Sequence, residues 1–216
     1  MDINNTNMLV SHPPKRGQVK ERIFRVLLNS QIDGPNEKRL TKYRITKLAK
    51  ANISWVIEFL RNLEKKGLVE GTRVKDYRGL VKMWKDVRVE PEVREYMVRD
   101  ILDVLKKTDM KYALTTYAAE NLVQKYLFPS RIDFYVKSED LSKWHNLLAG
   151  KGLVGRGNVK VLITDEHVFY NSSVIDGMTV VSMPQLIVDL MAEGAVGGEA
   201  ADMLLEKEMK DFVPRL

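Results

Sequence analysis

Apolar residues near the N-terminus recur at helical spacing and predict three helices. The first runs from residue 19 to about residue 29, and a strong turn signal at 33–36 follows it. The second is short and lies at 42–50. The third begins at Ser54, a favoured N-cap residue, and ends just before Gly67, which suits a helix C-terminus.

The third helix has two distinct faces. At 100° per residue, Val56, Phe59, Leu60 and Leu63 cluster on one side and are predicted to join the core. The opposite side is polar and is flanked by Trp55. Its residues are Ser54, Glu58, Arg61, Asn62 and Lys65. Two helices, a short turn and an exposed polar face are typical of a helix-turn-helix, which lays its second helix in the major groove.

The pattern after Gly67 predicts a two-stranded hairpin, with a turn at 76–79 and a second strand at 80–89. This hairpin would carry six basic residues: Arg73, Lys75, Arg78, Lys82, Lys85 and Arg88. A basic hairpin after a recognition helix is typical of a wing. The sequence therefore predicts a winged helix at 18–90, preceded by a flexible basic arm at 1–17.

Residues 91–108 predict a connector helix. Its apolar stripe favours packing within the chain over packing on a second copy, which would make a homodimer. The stripe consists of Val93, Met97, Ile101, Val104 and Leu105. Beyond it, at 109–216, strands alternate with helices, and this order predicts an α+β domain. Strands are expected at 112–115, 131–136, 158–163, 167–170 and 178–181, and helices at 117–127, 138–148, 182–192 and 199–210.

The layout of this second domain is that of a nucleotidyltransferase, in which a turn and a helix precede a strand bearing two carboxylates. Residues i and i+2 of a strand point the same way, so such a pair can hold the two metal ions of a triphosphate site. Here Asp133 is followed at i+2 by Tyr135, and threonine replaces the glycine expected at the turn. We therefore expect a nucleotidyltransferase-like domain with no catalytic residue. The alternative is a divergent nucleotidyltransferase that uses Asp133 with Asp189 or Asp165.

Charge is divided unequally along the 216 residues. Residues 1–90 contain 20 Lys and Arg against 10 Asp and Glu, whereas residues 91–216 contain 15 against 19. Phosphate backbones attract basic surfaces, so the first half is the expected site for double-stranded DNA. An adaptor or dimerisation role and RNA binding are the alternatives. The predicted DNA-binding residues are Lys42, Arg44, Lys47, Ser54, Trp55, Glu58, Arg61, Asn62, Lys65, Arg73, Lys75, Arg78 and Lys82.

Other chemistry has little support in the sequence. The chain contains no cysteine, and His12, His145 and His167 are scattered, so we expect no metal site and no cofactor. No segment approaches the ~20 apolar residues that cross a bilayer. These features predict a cytoplasmic protein without membrane contact.

Two segments of the first half resemble prokaryotic winged-helix transcriptional regulators. They are RITKLAKANIS at 44–54 and FLRNLEKKGLV at 59–69. The second of them is common to many such regulators, so it bears on the fold more than on the choice of regulator.

The second domain resembles the C-terminal domain of the AbiE-type antitoxin family of type IV toxin–antitoxin systems and related archaeal regulators. The matching segments are 113–115, 117–119, 132–136, 157–159, 168–170, 176–182 and 185–190. The resemblance implies a regulator that binds DNA, often its own promoter. An antitoxin that represses an operon with a linked toxin is a further hypothesis, and a cognate toxin would then be a partner.

Overall fold

A computed structural model describes residues 16–30 and 40–211 of the chain. Three helices open it: α1 (Arg16–Asn29), α2 (Lys42–Leu48) and α3 (Ile53–Lys65). Residues 1–15 of the predicted arm and the predicted turn at 33–36 lie outside the described residues, whereas Arg16 and Gly17 begin α1.

The helix termini follow from local capping. Thr41 caps α2, where its side chain accepts a hydrogen bond from the Arg44 amide. The cap of α3 is Asn52, whose Oδ1 accepts from the Ser54 amide at 2.9 Å, so the prediction of Ser54 as the cap is wrong. Asn and Ser are both favoured caps, and Asn52 comes first along the chain. The predicted core face is confirmed, because all four of its residues are buried.

The predicted long hairpin is wrong in its second half. The strands β1 (Val69–Glu70) and β2 (Arg73–Val74) form a short antiparallel pair. A helix, α4 (Tyr77–Val87), then replaces the expected strand. The apolar residues of this segment recur every three or four positions, and Asp76 caps the helix by accepting from the Gly79 amide at 2.8 Å.

The predicted connector helix is also wrong. Residues 92–98 form a strand, β3 (Glu92–Val98), and only α5 (Ile101–Lys107) is helical. Asp100 separates the two with a left-handed backbone, at φ 52°. The apolar spacing that favoured a helix includes Val93 and Met97, which remain exposed in the strand. Pairing of β3 with two neighbouring strands overrides the helical periodicity.

The rest of the chain alternates as expected, with three differences: the expected strand at 167–170 is a 3₁₀ helix at Glu166–Phe169, and two short strands, β6 and β8, were not predicted. The elements are β4 (Ala113–Thr115), α6 (Thr116–Val123), β5 (Ile132–Lys137), α7 (Leu141–Ala149), β6 (Gly152–Val154), β7 (Val159–Thr164), β8 (Ser173–Ile175), β9 (Met178–Val180), α8 (Met183–Glu193) and α9 (Ala195–Asp211).

Seven strands form one mixed sheet in the order β6-β3-β7-β5-β4-β9-β8. The central strands β5 and β7 are parallel, and β4 pairs antiparallel with β5 so that Thr115 lies opposite Asp133. The α+β class is therefore confirmed. Because neighbouring residues of a strand point to opposite faces, Phe134 lies on one face of the sheet and Asp133 and Tyr135 on the other.

Each face of the sheet is covered differently. On the first, Trp144 of α7 packs against Phe134, with ring centroids 5.0 Å apart. On the second lie α6 and α8, and α1 and α4 pack in turn on α8. The helical unit has its own aromatic core, where Phe24 lies 5.3 Å from Phe59 and 6.0 Å from Trp84.

Candidate nucleic-acid interface

The outer side of α3 carries the polar residues that the sequence predicted to contact DNA. Ser54, Glu58, Arg61, Asn62 and Lys65 are all exposed. In the part of the chain that the structure describes, the side chains of Arg61, Asn62 and Lys65 take part in no hydrogen bond or ion pair. Their donors are therefore available to an external acceptor.

Helix α2, which packs against α3, carries three further predicted contact residues. Lys42 and Lys47 are exposed, and Arg44 is half-buried. The Lys47 ammonium lies 5.4 Å from the centroid of the Tyr43 ring, within the range of a cation–π contact.

Trp55 is placed differently from the other predicted contact residues. It is half-buried, and its ring stacks on Phe59 with centroids 5.5 Å apart and an angle of 14° between the planes. Most of the Trp55 side chain therefore packs against the helical core.

The short hairpin is tied to the helices at both sides of its turn. Thr72 Oγ1 donates to the carbonyl oxygen of Leu40 at 2.6 Å, and the Gly71 amide donates to Glu64 Oε1 at 2.9 Å. Arg73 and Lys75 are exposed on β2 and just after it, and the Lys75 ammonium lies 3.4 Å from Glu70 Oε2. The hairpin thus holds two basic side chains next to α3.

Four of the six predicted wing residues do not lie on the hairpin. Arg78, Lys82 and Lys85 are on α4, where Lys82 and Lys85 are exposed, and Arg88 follows the last residue of this helix. Arg78 Nη2 donates to Glu206 Oε1 of α9 at 2.8 Å. Helix α2 therefore packs on α3, and the hairpin is bonded to α3 through Gly71, whereas Arg78 is engaged with α9.

Several arginines of the basic half face the second half of the chain instead of solvent. Besides Arg78, three of them form polar contacts across the two halves: Arg22 with Asp165 at 3.1 Å, Arg25 with Gln185 at 2.6 Å, and Arg88 with Asp189 at 3.1 Å. The unequal charge of the halves thus reflects in part how they bind each other.

Asp133 occupies the strand position of the expected nucleotidyltransferase carboxylate and is fully buried. Arg131 donates from Nε to one carboxylate oxygen and from Nη2 to the other, each at 2.6 Å. Thr116 Oγ1 donates to Oδ2 at 2.7 Å. Thr116 has φ 47°, a left-handed conformation that is strained for a β-branched residue, and this hydrogen bond ties it to the strand.

Asp189 of α8 is the second buried carboxylate on this face. Its Oδ1 accepts from Arg88 at 3.1 Å, Tyr135 at 3.0 Å and Gln185 at 2.9 Å, and its Oδ2 accepts from Thr115 at 2.6 Å. Burial raises the pKa of Tyr135 well above its usual range, so the phenol keeps the proton that it donates.

The two carboxylates thus act as anchors for neighbouring donors. Every oxygen of Asp133 and Asp189 already accepts at least one hydrogen bond from a protein side chain. Within residues 16–30 and 40–211, no group of three His, Asp or Glu side chains is arranged to hold a metal ion.

Sequence reasoning singled out Asp133, Tyr135 and Asp189 but missed their donors. Arg88 was assigned to the wing, yet its guanidinium lies on Asp189, 101 positions further along the chain. Burial lowers the pKa of Arg88, but Asp189, Tyr135 and Glu90 together outweigh this effect, and the net pKa is raised. No local pattern could have shown this pairing.

No family model, curated protein or solved structure matches this chain. Among the described helices, none combines the length and the apolar character that crossing a bilayer requires.

Proposed function

We propose that this chain is a DNA-binding transcriptional regulator in which α1 to α3 and the β1–β2 hairpin act as a winged helix. In this proposal α3 enters the major groove, α2 and the hairpin contact phosphates, and the sheet domain binds a partner or ligand. The resemblance to AbiE-type antitoxins extends the proposal to repression of the protein's own promoter.

The exposed polar face of α3 carries the proposal. Its buried side packs into the helical core, so the helix is held firmly while Arg61, Asn62 and Lys65 project outward without protein partners in the described chain. Residues 41–66 contain seven Lys and Arg and two Glu. A rigid helix that presents unpaired Arg and Asn side chains on a basic surface can donate hydrogen bonds to base edges and phosphates.

Selection of bound duplexes from a random DNA pool tests the proposal. We expect a defined sequence to be enriched, and the logarithm of its affinity to fall linearly with the logarithm of salt concentration. Arg61→Ala should weaken binding by about 1–3 kcal/mol and relax the preference at one position. Lys75→Ala should weaken all sequences alike and reduce the salt slope by about 1.

The matched control is Lys143→Ala, which removes an exposed lysine of α7 in the sheet domain. It should change neither affinity nor sequence preference. A protein that enriches no sequence, or whose affinity falls equally in Lys143→Ala and Arg61→Ala, would contradict the proposal.

We propose further that the sheet domain transfers no nucleotides. The support is the state of Asp133, whose oxygens accept from Arg131 and Thr116 and are enclosed in the domain. Two-metal catalysis needs carboxylates that are free to bridge the ions. Incubation with labelled nucleoside triphosphates, Mg²⁺ or Mn²⁺, and RNA or protein acceptors should give no incorporation. Incorporation that disappears in Asp133→Ala would establish the enzyme hypothesis instead.

A further inference from the structure

Two isoleucines on α3 have no role in the core. Ile53, the first residue of the helix, is 39% exposed, and Ile57, which is half-buried, follows one turn later on the same side. Within the described residues, neither belongs to the buried core or to the half-buried side chains that pack against it. The N-terminus of the helix does not need Ile53 for capping, because the Asn52 side chain provides the N-cap. Packing and capping therefore leave these apolar side chains unexplained.

The surroundings of this apolar strip are mainly basic. At 100° per residue, Ile53 and Ile57 border the row of Ser54 and Arg61, and exposed Lys42 and Lys47 stand on the preceding helix. Glu64 lies on the same side of α3, and its carboxylate accepts from the Gly71 amide. A ligand that fits must present phosphates to the lysines and an apolar group to the isoleucines. Duplex DNA does so in its major groove, where thymine alone carries a C5-methyl group among acceptors and donors.

The same chemistry distinguishes DNA from RNA. Uracil lacks the methyl group, and the major groove of duplex RNA is too deep and narrow for side chains to enter. The strip thus favours thymine-containing DNA over RNA, and the basic flank disfavours an apolar protein groove as its partner.

We propose that Ile53, supported by Ile57, is a specificity-determining residue that packs against a thymine methyl group in the operator. This inference rests on the proposed DNA-binding function and adds a defined base to it. Helix α3 would then contact the bases through hydrogen bonds from Arg61 and Asn62 and through one apolar contact from Ile53. Because the contact is apolar, it selects thymine without adding to the salt dependence.

Replacement of thymine by deoxyuridine tests the contact, since it deletes only the methyl group. In the duplex selected by the wild-type protein, each thymine is changed in turn and the affinity is measured. We expect one position at which the loss of the methyl group weakens binding about fourfold, the equivalent of one buried carbon. In Ile53→Ala, the same replacement should change affinity by less than about 1.5-fold, because the partner of the methyl group is gone.

Val196→Ala is the matched control. Val196 is also an exposed β-branched residue in the first turn of a helix, but it lies on α9 in the sheet domain. This variant should keep the full fourfold effect of the methyl group. Urea unfolding of each variant confirms that the fold is unchanged.

The outcomes separate the inference from the function on which it rests. A methyl effect that persists in Ile53→Ala, or no methyl effect at any thymine, overturns the inference while DNA binding stands. A protein that selects no duplex DNA overturns both.

Discussion

One buried imidazole links the two halves of the molecule. His167 Nε2 lies 3.1 Å from the carbonyl oxygen of Leu48 at the end of α2, and a carbonyl only accepts, so Nε2 carries the proton. The other nitrogen, Nδ1, is buried and has no hydrogen-bond partner among the described residues. Burial is the main cause that lowers the pKa of His167 to about 4, and the charge of Arg25 adds to it.

We predict that acid destabilises the protein through His167. In the unfolded chain its pKa returns to about 6.5, so between pH 6.5 and 4 the unfolded state binds the extra proton. The stabilisation is complete above pH 6.5 and is lost as the pH falls through this window, by up to about 1.4 kcal/mol per pH unit. His167→Gln keeps an N–H donor without titrating, and should flatten this dependence in urea unfolding.

The exposed His145 gives the control for this experiment. His145→Gln makes the same substitution at a histidine that is exposed on α7 and contacts Tyr96 in the sheet domain, so it is the reference with which His167→Gln is compared. Burial also raises the pKa of Glu21, with an effect of the opposite sign, but Glu21 is present in all three proteins and cancels in the comparison. Equal slopes for wild type and His167→Gln would refute the assignment.

At the scale of elements, α4 shows how a cap decides between helix and strand. Its buried residues Tyr77, Leu80, Val81 and Trp84 lie on one helical face. Asp76 starts this helix immediately after β2, so the chain cannot continue as a wing strand. The C-terminus of this helix faces the sheet domain, because Arg88, which follows the last helical residue, binds Asp189.

We predict that Asp76→Ala lowers the free energy of unfolding by about 1 kcal/mol, the usual value of an N-cap. Asp86→Ala is the control on the same helix. Asp86 lies near the C-terminus, where a negative charge opposes the helix dipole, and its replacement should be neutral or slightly stabilising. Urea unfolding measures both. A larger loss in Asp86→Ala than in Asp76→Ala would be inconsistent with the cap.

The elements that the sequence predicted are those with strong local signals. The segments of α3, β5 and α8 combine clear periodicity with caps or β-branched runs, and the structure forms all three. Strands β6 and β8 have three residues each and mostly exposed side chains, so no period distinguishes them from loops. The apolar residues of strand β3 recur at helical spacing, and only pairing with β7 and β6 determines its extended conformation.

In the candidate site, too, the local features could be predicted from the sequence and the long-range contacts could not. The outer face of α3 could be predicted because one helix carries all of it. The contacts of Asp189 could not, since Arg88 and Thr115 reach it from 101 and 74 positions away. Long-range polar contacts depend on the tertiary fold and leave no local pattern.

At the scale of the whole molecule, the helical unit and the sheet share a buried polar interface. Helices α1 and α4 pack directly on α8. Arg25, Gln185 and Asp189 are buried between them and form one hydrogen-bonded chain. Unfolding either half would expose this interface to water and remove its buried hydrogen bonds, so each half stabilises the other.

We therefore predict that both halves unfold in one transition. In Trp144→Phe, fluorescence comes only from Trp55 and Trp84 of the helical unit, whereas far-UV circular dichroism reports all helices. The two signals should give the same urea midpoint. Two separate midpoints in this variant would show that the halves are independent.

Synthesis of the chain imposes an order on this interface. Arg88 leaves the ribosome 101 residues before its partner Asp189. At roughly 5–20 residues per second, the nascent helical unit waits about 5–20 s with its inward-facing arginines still in water. Newly made α1 and α4 precede α8, on which both pack, so a chain truncated before α8 lacks one of the surfaces that support the helical unit. Translation must pass residue 189 before α1 and α4 acquire this support.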